Sequence, residues 1–140
     1  MSATEHMGTL VKLSDTMLTV ADPAADVRGR KVLDRHGEEI GEVDDLLLDE
    51  EKQNVRFLRV AAGGFLGIGE QHFLVPVGAV TKVDADHVHI DRERSRLRDV
   101  PTYNPDLVPD PAYYADVYGW WGYRPYWSPG YAYPPYPMYP

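Results

Sequence analysis

The chain has 140 residues and a net charge of −8, and its length suits one domain with an appendage. It contains no cysteine, which excludes disulfides, thiol catalysis and cysteine-based zinc sites. Asp and Glu outnumber Lys and Arg by 22 to 14; because the sequence shows no concentrated basic surface, direct binding of nucleic acid is not expected. No basic region with a following apolar run opens the chain, and no stretch has the roughly 18–20 apolar residues of a membrane span, so we expect a cytoplasmic protein without a transmembrane segment.

The first part of the chain, residues 1–23, is predicted to be an N-terminal arm. Within it, residues 10–13 (Leu-Val-Lys-Leu) form either a short strand or a segment laid against the body of the domain. Asp22 and Pro23 then interrupt the chain, because an Asp-Pro pair favours a turn.

Between residues 27 and 90 the sequence alternates short runs of β-forming residues with polar or glycine-containing turns, a pattern typical of consecutive β-strands. None of these segments has the length of a helix that would connect two parallel strands. Such a chain closes best as a small antiparallel barrel, because closure removes exposed strand edges. The six predicted strands are residues 30–33, 39–48, 55–61, 71–77, 80–83 and 87–90.

The second predicted strand contains a change in its apolar alternation between Val43 and Leu46. A change of parity within one strand indicates a bulge or a sharp bend, here near Asp44 and Asp45. Small barrels need such bends to close. The acidic run that surrounds this point, residues 38–51, is interpreted as a solvated face, with a docking surface for a basic partner as the alternative.

Three glycines are predicted to have structural roles. Gly37 ends the turn at 34–37 and supplies the positive φ that such turns need. Together with Gly37, Gly29 and Gly41 are predicted to set turns and close approaches in the barrel. The glycine-rich segment 63–69 is interpreted as a flexible connection, because its glycine spacing reverses that of the dinucleotide-binding fingerprint and a strand follows it.

The barrel is predicted to end in one or two helical turns at residues 92–98, which stop before Pro101 because the residue preceding a proline avoids the helical region. The sequence therefore divides into three parts. These are the N-terminal arm 1–23, a barrel domain at 24–103 and a tail at 104–140.

The tail begins with a helix signal. Asp110 has the side chain of an N-cap, and Pro111 suits the first helical position. This predicts a short helix over residues 111–118 that ends at Gly119. The residues after Trp121 show no periodicity and many prolines, so an extended or disordered C-terminal tail is expected.

The predicted barrel resembles the PRC-barrel family. A G-x-x-V strand at 29–32 precedes a turn with glycine, and an I-G-x-V-x-D pattern followed by apolar residues begins at Ile40. The order and spacing of the remaining strands agree with the family over residues 24–103. Further matching segments are 55–60, 73–80, 87–90 and the exit Arg-Asp-Val-Pro-Thr-Tyr at 98–103.

The resemblance implies a compact six-stranded β-barrel and an adaptor role, in which the barrel docks onto other proteins. Members occur at the end of the photosynthetic reaction-centre H subunit and in a ribosome maturation factor. This sequence shows neither the membrane helix of the first nor the preceding RNA-associated domain of the second, so neither specific function is expected to transfer. The tail lies outside the family pattern.

The aromatic residues are divided between the two parts of the chain. All ten tyrosines and all three tryptophans lie beyond Pro101, whereas the three phenylalanines precede it. Tyr and Trp suit surfaces that meet partners, since each is apolar with one hydrogen-bonding group. The tail is then a dispensable disordered end, or a layer of rings folded over the barrel, or a contact for another chain. The residues predicted to contact a partner are Tyr118, Trp120, Trp121, Tyr126 and Trp127.

Little in the sequence indicates bound metal or catalysis. His87 and His89 share one face of a strand, and Asp86 or Asp91 could add oxygen, but a closed metal site needs four ligands; outward-facing polar positions are the ordinary explanation. No side chain is placed as a partner for general acid–base work. Arg124 is a candidate for stacking on a tail ring.

These observations favour a non-catalytic protein-interaction or adaptor module without a cofactor. Its partner is another protein or a second copy of the chain, as in a homodimer. The alternative is a small-molecule or metal sensor that uses His87 and His89 at the mouth of the barrel.

Overall fold

The computed structural model describes residues 9–16, 20, 22–63, 71–104 and 110–136. The β-strands are β1 (Leu10–Lys12), β2 (Lys31–Leu33), β3 (Glu39–Asp49), β4 (Val55–Ala62), β5 (Gln71–Pro76), β6 (Val80–Val83) and β7 (His87–Ile90). An α-helix, α1, spans Pro111–Trp121, and short 3-10 segments lie at Leu13–Asp15, Pro23–Ala25, Val77–Ala79 and Arg94–Asp99. The strand predictions are thereby confirmed within one or two residues at each end.

Six strands form one curled sheet in the order β5-β4-β3-β2-β7-β6, and β1 pairs with the far end of β3. β5 and β6 lie at opposite ends of this order, yet only Val77–Ala79 separates them along the chain. The sheet must therefore curl until its two outer strands approach each other at that corner. The result is a half-barrel and not the closed barrel that the sequence predicted, because β5 and β6 are not paired with each other.

The prediction that all strands are antiparallel is wrong at one pairing. β2 and β7 run parallel, with Val32 opposite Val88, so the sheet is mixed. The reason lies at the corner after Pro76, where the chain does not reverse and β6 runs in the same direction as β5. The sequence marks the corner with a proline, but it does not state the direction in which the chain leaves it.

The β3–β4 ladder contains two register shifts. The first lies between Val43 and Asp45, which confirms the bulge predicted from the change of parity. The second lies where Leu47 and Leu48 pair with Phe57 and Val55, and it leaves Arg56 as the extra residue of β4. Bulges re-aim the side chains of a strand, and here they place two charged side chains, those of Asp44 and Arg56.

The centre of the sheet is covered on both sides. Residues 46–49 of β3 and 55–58 of β4 are all buried, although successive residues of a strand point to opposite faces. The ring of Phe57 contacts Tyr118 of α1, with 5.0 Å between the ring centroids. The helix and the tail therefore form a second layer over the outer face of the sheet.

The helix α1 begins as predicted and ends later than predicted. The Asp110 carboxylate accepts a hydrogen bond from the Tyr113 N–H at 3.3 Å, and Pro111 occupies the first turn. The predicted end at Gly119 is wrong, because the left-handed residue that terminates the helix is Gly122, with φ of 80°. An exposed glycine within a helix costs only about 1 kcal/mol relative to alanine, and the extra turn lets Trp121 reach the sheet.

Glycines take up strained or crowded backbone positions in the sheet and its turns. Gly37 and Gly29 have φ of 84° and 88°. Gly41 lies against the neighbouring strand, where an added Cβ would be 2.2 Å from the Ala61 carbonyl oxygen.

No helix within the described ranges is long and apolar enough to cross a membrane. The predicted flexible connection at 63–69 falls outside the described residues except for Gly63.

Candidate functional site

The tail is fixed to the sheet by Trp121. Its indole N–H donates a hydrogen bond to the Leu74 carbonyl of β5 at 3.0 Å, and only 1% of the residue is exposed. A buried indole needs such an acceptor. Tyr118 and Trp127 are also buried and pack edge to face, with 5.7 Å between ring centroids. Of the alternatives that the sequence left open, the structure therefore shows the rings folded over the barrel.

A second attachment surrounds Arg56, the bulged residue of β4. Its guanidinium donates to the buried carboxylate of Asp49 at 2.9 Å and lies over three tail rings. The guanidinium carbon is 4.5 Å from the ring centroid of Tyr126, 5.4 Å from that of Tyr133 and 6.0 Å from that of Tyr131. Burial raises the pKa of Tyr133 to about 12 despite this cation, so the phenol stays neutral.

The tail then continues across the sheet through hydroxyl groups that donate to barrel carbonyls. The Tyr133 hydroxyl donates to the Val55 carbonyl at 3.0 Å, and the Tyr136 hydroxyl donates to the Ala25 carbonyl at 2.6 Å. The described part of the tail therefore extends from β5 to the 3-10 turn that precedes β2. Residues 122–136 contain turns but neither helix nor strand.

The five residues predicted to contact a partner are brought together against the sheet, but they differ in exposure. Tyr118, Trp121 and Trp127 are buried within this chain, whereas Trp120 and Tyr126 are half-buried. The predicted partner contacts stay a prediction.

Trp120 stands at the edge of a polar cavity of about 330 Å³, which we call the Trp120 cavity. Its ring packs edge to face on Trp121, with 5.0 Å between centroids, and lies 5.9 Å from the Arg92 guanidinium carbon. The cavity combines an aromatic wall with charged groups of both signs. It is lined by Arg35, Asp91, Arg92, Glu93, Arg96, Asp99 and Trp120.

Arg92 joins this cavity to the helix. Its guanidinium donates to the carbonyl of Trp121 and to the Asp91 carboxylate, the latter at 3.0 Å. The other oxygen of Asp91 accepts a hydrogen bond from the Tyr123 hydroxyl. Arg92 therefore satisfies a carbonyl at the C-terminal end of α1, where a cation is also favoured by the helix dipole.

The opposite wall is held by Asp34, which is 2% exposed. One oxygen accepts from the backbone N–H groups of His36 and Glu38, and the other accepts from the N–H of Arg94 at 2.9 Å. Burial alone would raise the pKa of Asp34, but these three donors outweigh it and lower the pKa below its usual value. One carboxylate therefore ties the turn that carries Arg35 to the 3-10 segment that carries Arg96.

A second cavity, of about 350 Å³, lies between the barrel corner and the tail. The corner contributes Pro76 and Gly78, and the tail contributes several rings. Tyr123 lines this cavity while its hydroxyl reaches Asp91 of the Trp120 cavity. The tail lining consists of Tyr118, Tyr123, Arg124, Gly130, Tyr131, Ala132 and Pro134.

Part of the acidic run is buried, which corrects its interpretation as a solvated face. Asp45 at the first bulge is 0% exposed and binds the backbone N–H and the hydroxyl of Ser14. Asp44 pairs with Arg59 at 2.7 Å and with His72 at 3.1 Å. These acids are buried or half-buried because each has basic or donor partners, whereas the glutamates of the run remain exposed.

The histidine pair of β7 shares one carboxylate. Asp84 lies 3.1 Å from Nδ1 of His87 and 3.5 Å from Nε2 of His89. The Asp86 backbone N–H is the largest influence on Asp84 and lowers its pKa to about 2. Within the described ranges, no group of three or more His, Cys, Asp or Glu side chains is arranged to hold a metal ion.

Sequence reasoning missed Arg56 and Arg92, the cations that meet the tail rings. It proposed Arg124 instead, but this side chain donates to the Pro129 carbonyl at 3.1 Å. The sequence did contain a signal for Arg56. In β4 the apolar residues stand at consecutive positions and do not alternate with polar ones, and such a run indicates a strand that is covered on both faces. An arginine within such a run needs partners on the covering layer.

A family model described as PRC-barrel domain matches residues 20–97, more than half of the chain. The match covers β2 to β7 and most of the 3-10 segment that follows. A search of curated proteins finds no match. The helix and the aromatic tail lie beyond the matched residues.

Proposed function

Because the chain belongs to the PRC-barrel family, we propose that it is a non-catalytic protein-interaction module of the adaptor type. In this proposal the barrel and the docked tail present one composite surface to a partner protein. The tail is part of that surface and not an arm that reaches outward, because one of its indoles and two of its phenols donate to carbonyls of the barrel.

The observation that carries the proposal is the position of Trp120. Its neighbour Trp121 is buried and fixes the helix, whereas Trp120 is half-buried and borders a cavity that contains three arginines. Trp and Arg are enriched among the few residues that supply most of the binding energy in protein interfaces. A half-exposed indole beside a cavity fits an anchor for a partner better than it fits a core residue.

The charged clusters of the described sheet support a non-catalytic role, since each has a structural partner. Asp44, Asp45 and Asp49 hold the bulges, and Asp34 holds a turn. We therefore assign these groups to stability, and the proposed function to the surface.

The test is a comparison of the partners recovered by tagged full-length protein and by Trp120→Ala. We expect the specific partners of the native protein to be lost with this variant. The matched control is Tyr113→Ala, which removes another half-buried ring of the same helix outside the Trp120 cavity and should leave recovery unchanged. Equal recovery by all three proteins would overturn the proposal.

A further inference from the structure

We propose that the second cavity, between the barrel corner and the tail, binds a small molecule that carries a flat apolar ring and one carboxylate. We call it the corner cavity, and it is lined by Pro76, Gly78 and seven residues of the tail. The inference goes beyond the proposed function, because the corner cavity and the Trp120 cavity have different linings.

The lining of the corner cavity contains one charged side chain, that of Arg124, and no acid. Arg124 forms no ion pair with the described residues of the chain, and its hydrogen bond there runs from Nη1 to the Pro129 carbonyl at 3.1 Å. Its Nε and Nη2 donors remain for a ligand, and such a pair of donors matches the two oxygens of a carboxylate. The lining therefore has an excess of one positive charge, which favours an anion.

The guanidinium of Arg124 is held against a turn that contains Gly130. An added Cβ at this glycine would lie 3.1 Å from Nη1 of Arg124, so the guanidinium occupies the space that a side chain would need. The turn is closed by hydrogen bonds from the Ser128 N–H to the Pro125 carbonyl at 3.1 Å and from the Tyr131 N–H to the Ser128 carbonyl at 3.2 Å. The cation is thus positioned before a ligand binds, which lowers the ordering cost of binding.

The other walls of the corner cavity are apolar. The ring of Tyr123 packs on Gly78, where an added Cβ would be 3.3 Å from its Cδ1, and its hydroxyl is already bound to Asp91. Tyr118 and Tyr131 add two further rings, and aromatic rings pack favourably on one another in offset or edge-to-face arrangements. The volume of about 350 Å³ lies at the small end of ligand pockets, so a single ring with a short planar chain fits it.

The experiment titrates uniformly ¹⁵N-labelled full-length protein with cinnamate, which has one ring and one carboxylate. Cinnamamide keeps the ring without the charge, and acetate keeps the carboxylate without the ring. We expect cinnamate to shift the amide resonances of Gly78 and Gly130, and cinnamamide to bind about tenfold or more weakly because charge-assisted hydrogen bonds are lost. Acetate should shift neither resonance, because it makes no contact with the rings.

Two variants place the ligand in this cavity. Arg124→Ala should weaken the binding of cinnamate about tenfold or more, as removal of the ligand's charge does. Ala132→Leu puts a larger side chain into the lining and should also weaken it. Both positions are exposed, so both variants should keep the unfolding curve of the native protein. The matched control is Arg98→Ala, an exposed arginine outside the corner cavity, which should leave the affinity unchanged.

Any of four results would overturn the inference. Cinnamate could fail to bind at millimolar concentration, or cinnamate and cinnamamide could bind equally well. Arg124→Ala could bind cinnamate as tightly as the native protein does. Full displacement of cinnamate by capped hexaproline at equal concentration would make a proline-rich segment the occupant. The recovery of partners by Trp120→Ala is a separate measurement, so the proposed function stands or falls independently of these results.

Discussion

Arg56 of the barrel and Tyr126 of the tail are stacked, with the guanidinium carbon 4.5 Å from the ring centroid. They are 70 residues apart in the sequence, and one belongs to the family domain while the other lies beyond it. Because Arg56 also binds the buried Asp49 carboxylate, one side chain joins the hairpin after β3 to the covering layer. Barrel and tail are therefore expected to unfold together.

Arg56→Ala should destabilise the protein by about 3–5 kcal/mol, because it leaves the buried Asp49 carboxylate without its cation. The tail also loses its cation–π contacts. Urea denaturation followed by tryptophan fluorescence measures the change. Arg124→Ala is the control and should change the free energy of unfolding by no more than about 0.5 kcal/mol. Equal effects of the two variants would show that Arg56 does not hold the tail.

Trp121→Ala should lower the free energy of unfolding by about 3–5 kcal/mol, since it opens a cavity and leaves the Leu74 carbonyl without its donor. Trp120→Ala, one position earlier, should cost about 1 kcal/mol because its ring is half-exposed. Both values come from the same denaturation experiment. A larger loss of unfolding free energy for Trp120→Ala than for Trp121→Ala would contradict the assignment of Trp121 as the residue that fixes the tail to the sheet.

Gly41→Ala should destabilise the sheet by about 3 kcal/mol, because its Cβ would overlap the Ala61 carbonyl on the adjacent strand. Backbone cannot move aside as a flexible side chain can. The matched control is Gly63→Ala, whose Cβ would meet no atom of the described residues within 4 Å. Thermal unfolding of both variants measures the difference, and similar melting temperatures would count against the close approach.

Asp34→Asn should cost about 2 kcal/mol at neutral pH, because the amide nitrogen cannot accept the hydrogen bond from Arg94. The lowered pKa of Asp34 means that its stabilisation is fully present above its ordinary pKa of about 4. It is lost as the pH falls through the lower folded-state value. Stability curves of native protein and variant should therefore converge in acid, and a constant gap down to pH 2 would refute this role.

Alkali should loosen the tail. Although 37% of Tyr133 is exposed, its hydroxyl lies against the sheet at the Val55 carbonyl, and this burial raises its pKa to about 12. The stabilisation from its neutral phenol is therefore complete below about pH 10. It is lost as the pH rises from there through about 12, because the unfolded chain releases the proton first. Tyr133→Phe cannot ionise and should lose less stability across this range. Identical slopes for native protein and variant would contradict the prediction.

The local features were predictable from sequence because each depends on a few neighbouring residues. The parity change between Val43 and Leu46 identified the bulge, and Asp110 with Pro111 identified the start of the helix. Both are consequences of side-chain period and backbone donors. The predicted end of the helix is wrong, because either Gly119 or Gly122 could end a helix. Only the contact of Trp121 with the sheet decides between them.

The candidate site was predictable in composition but not in arrangement. The sequence identified Trp120 and Trp121 as equal contacts, and the fold separates them into a half-buried ring and a fully buried one. Arg35 and Arg96 carried no signal as a pair, since 60 residues separate them from one another and the Asp34 carboxylate joins their segments.

The sequence by itself determined the six strands of the barrel, the first bulge of β3 and the separate aromatic tail, because β-periodicity, turn residues and composition act over short distances. Only the tertiary structure decided that β2 meets β7 in parallel and that the tail covers the sheet. Those outcomes depend on which distant surfaces exclude water together, and no short segment contains that information.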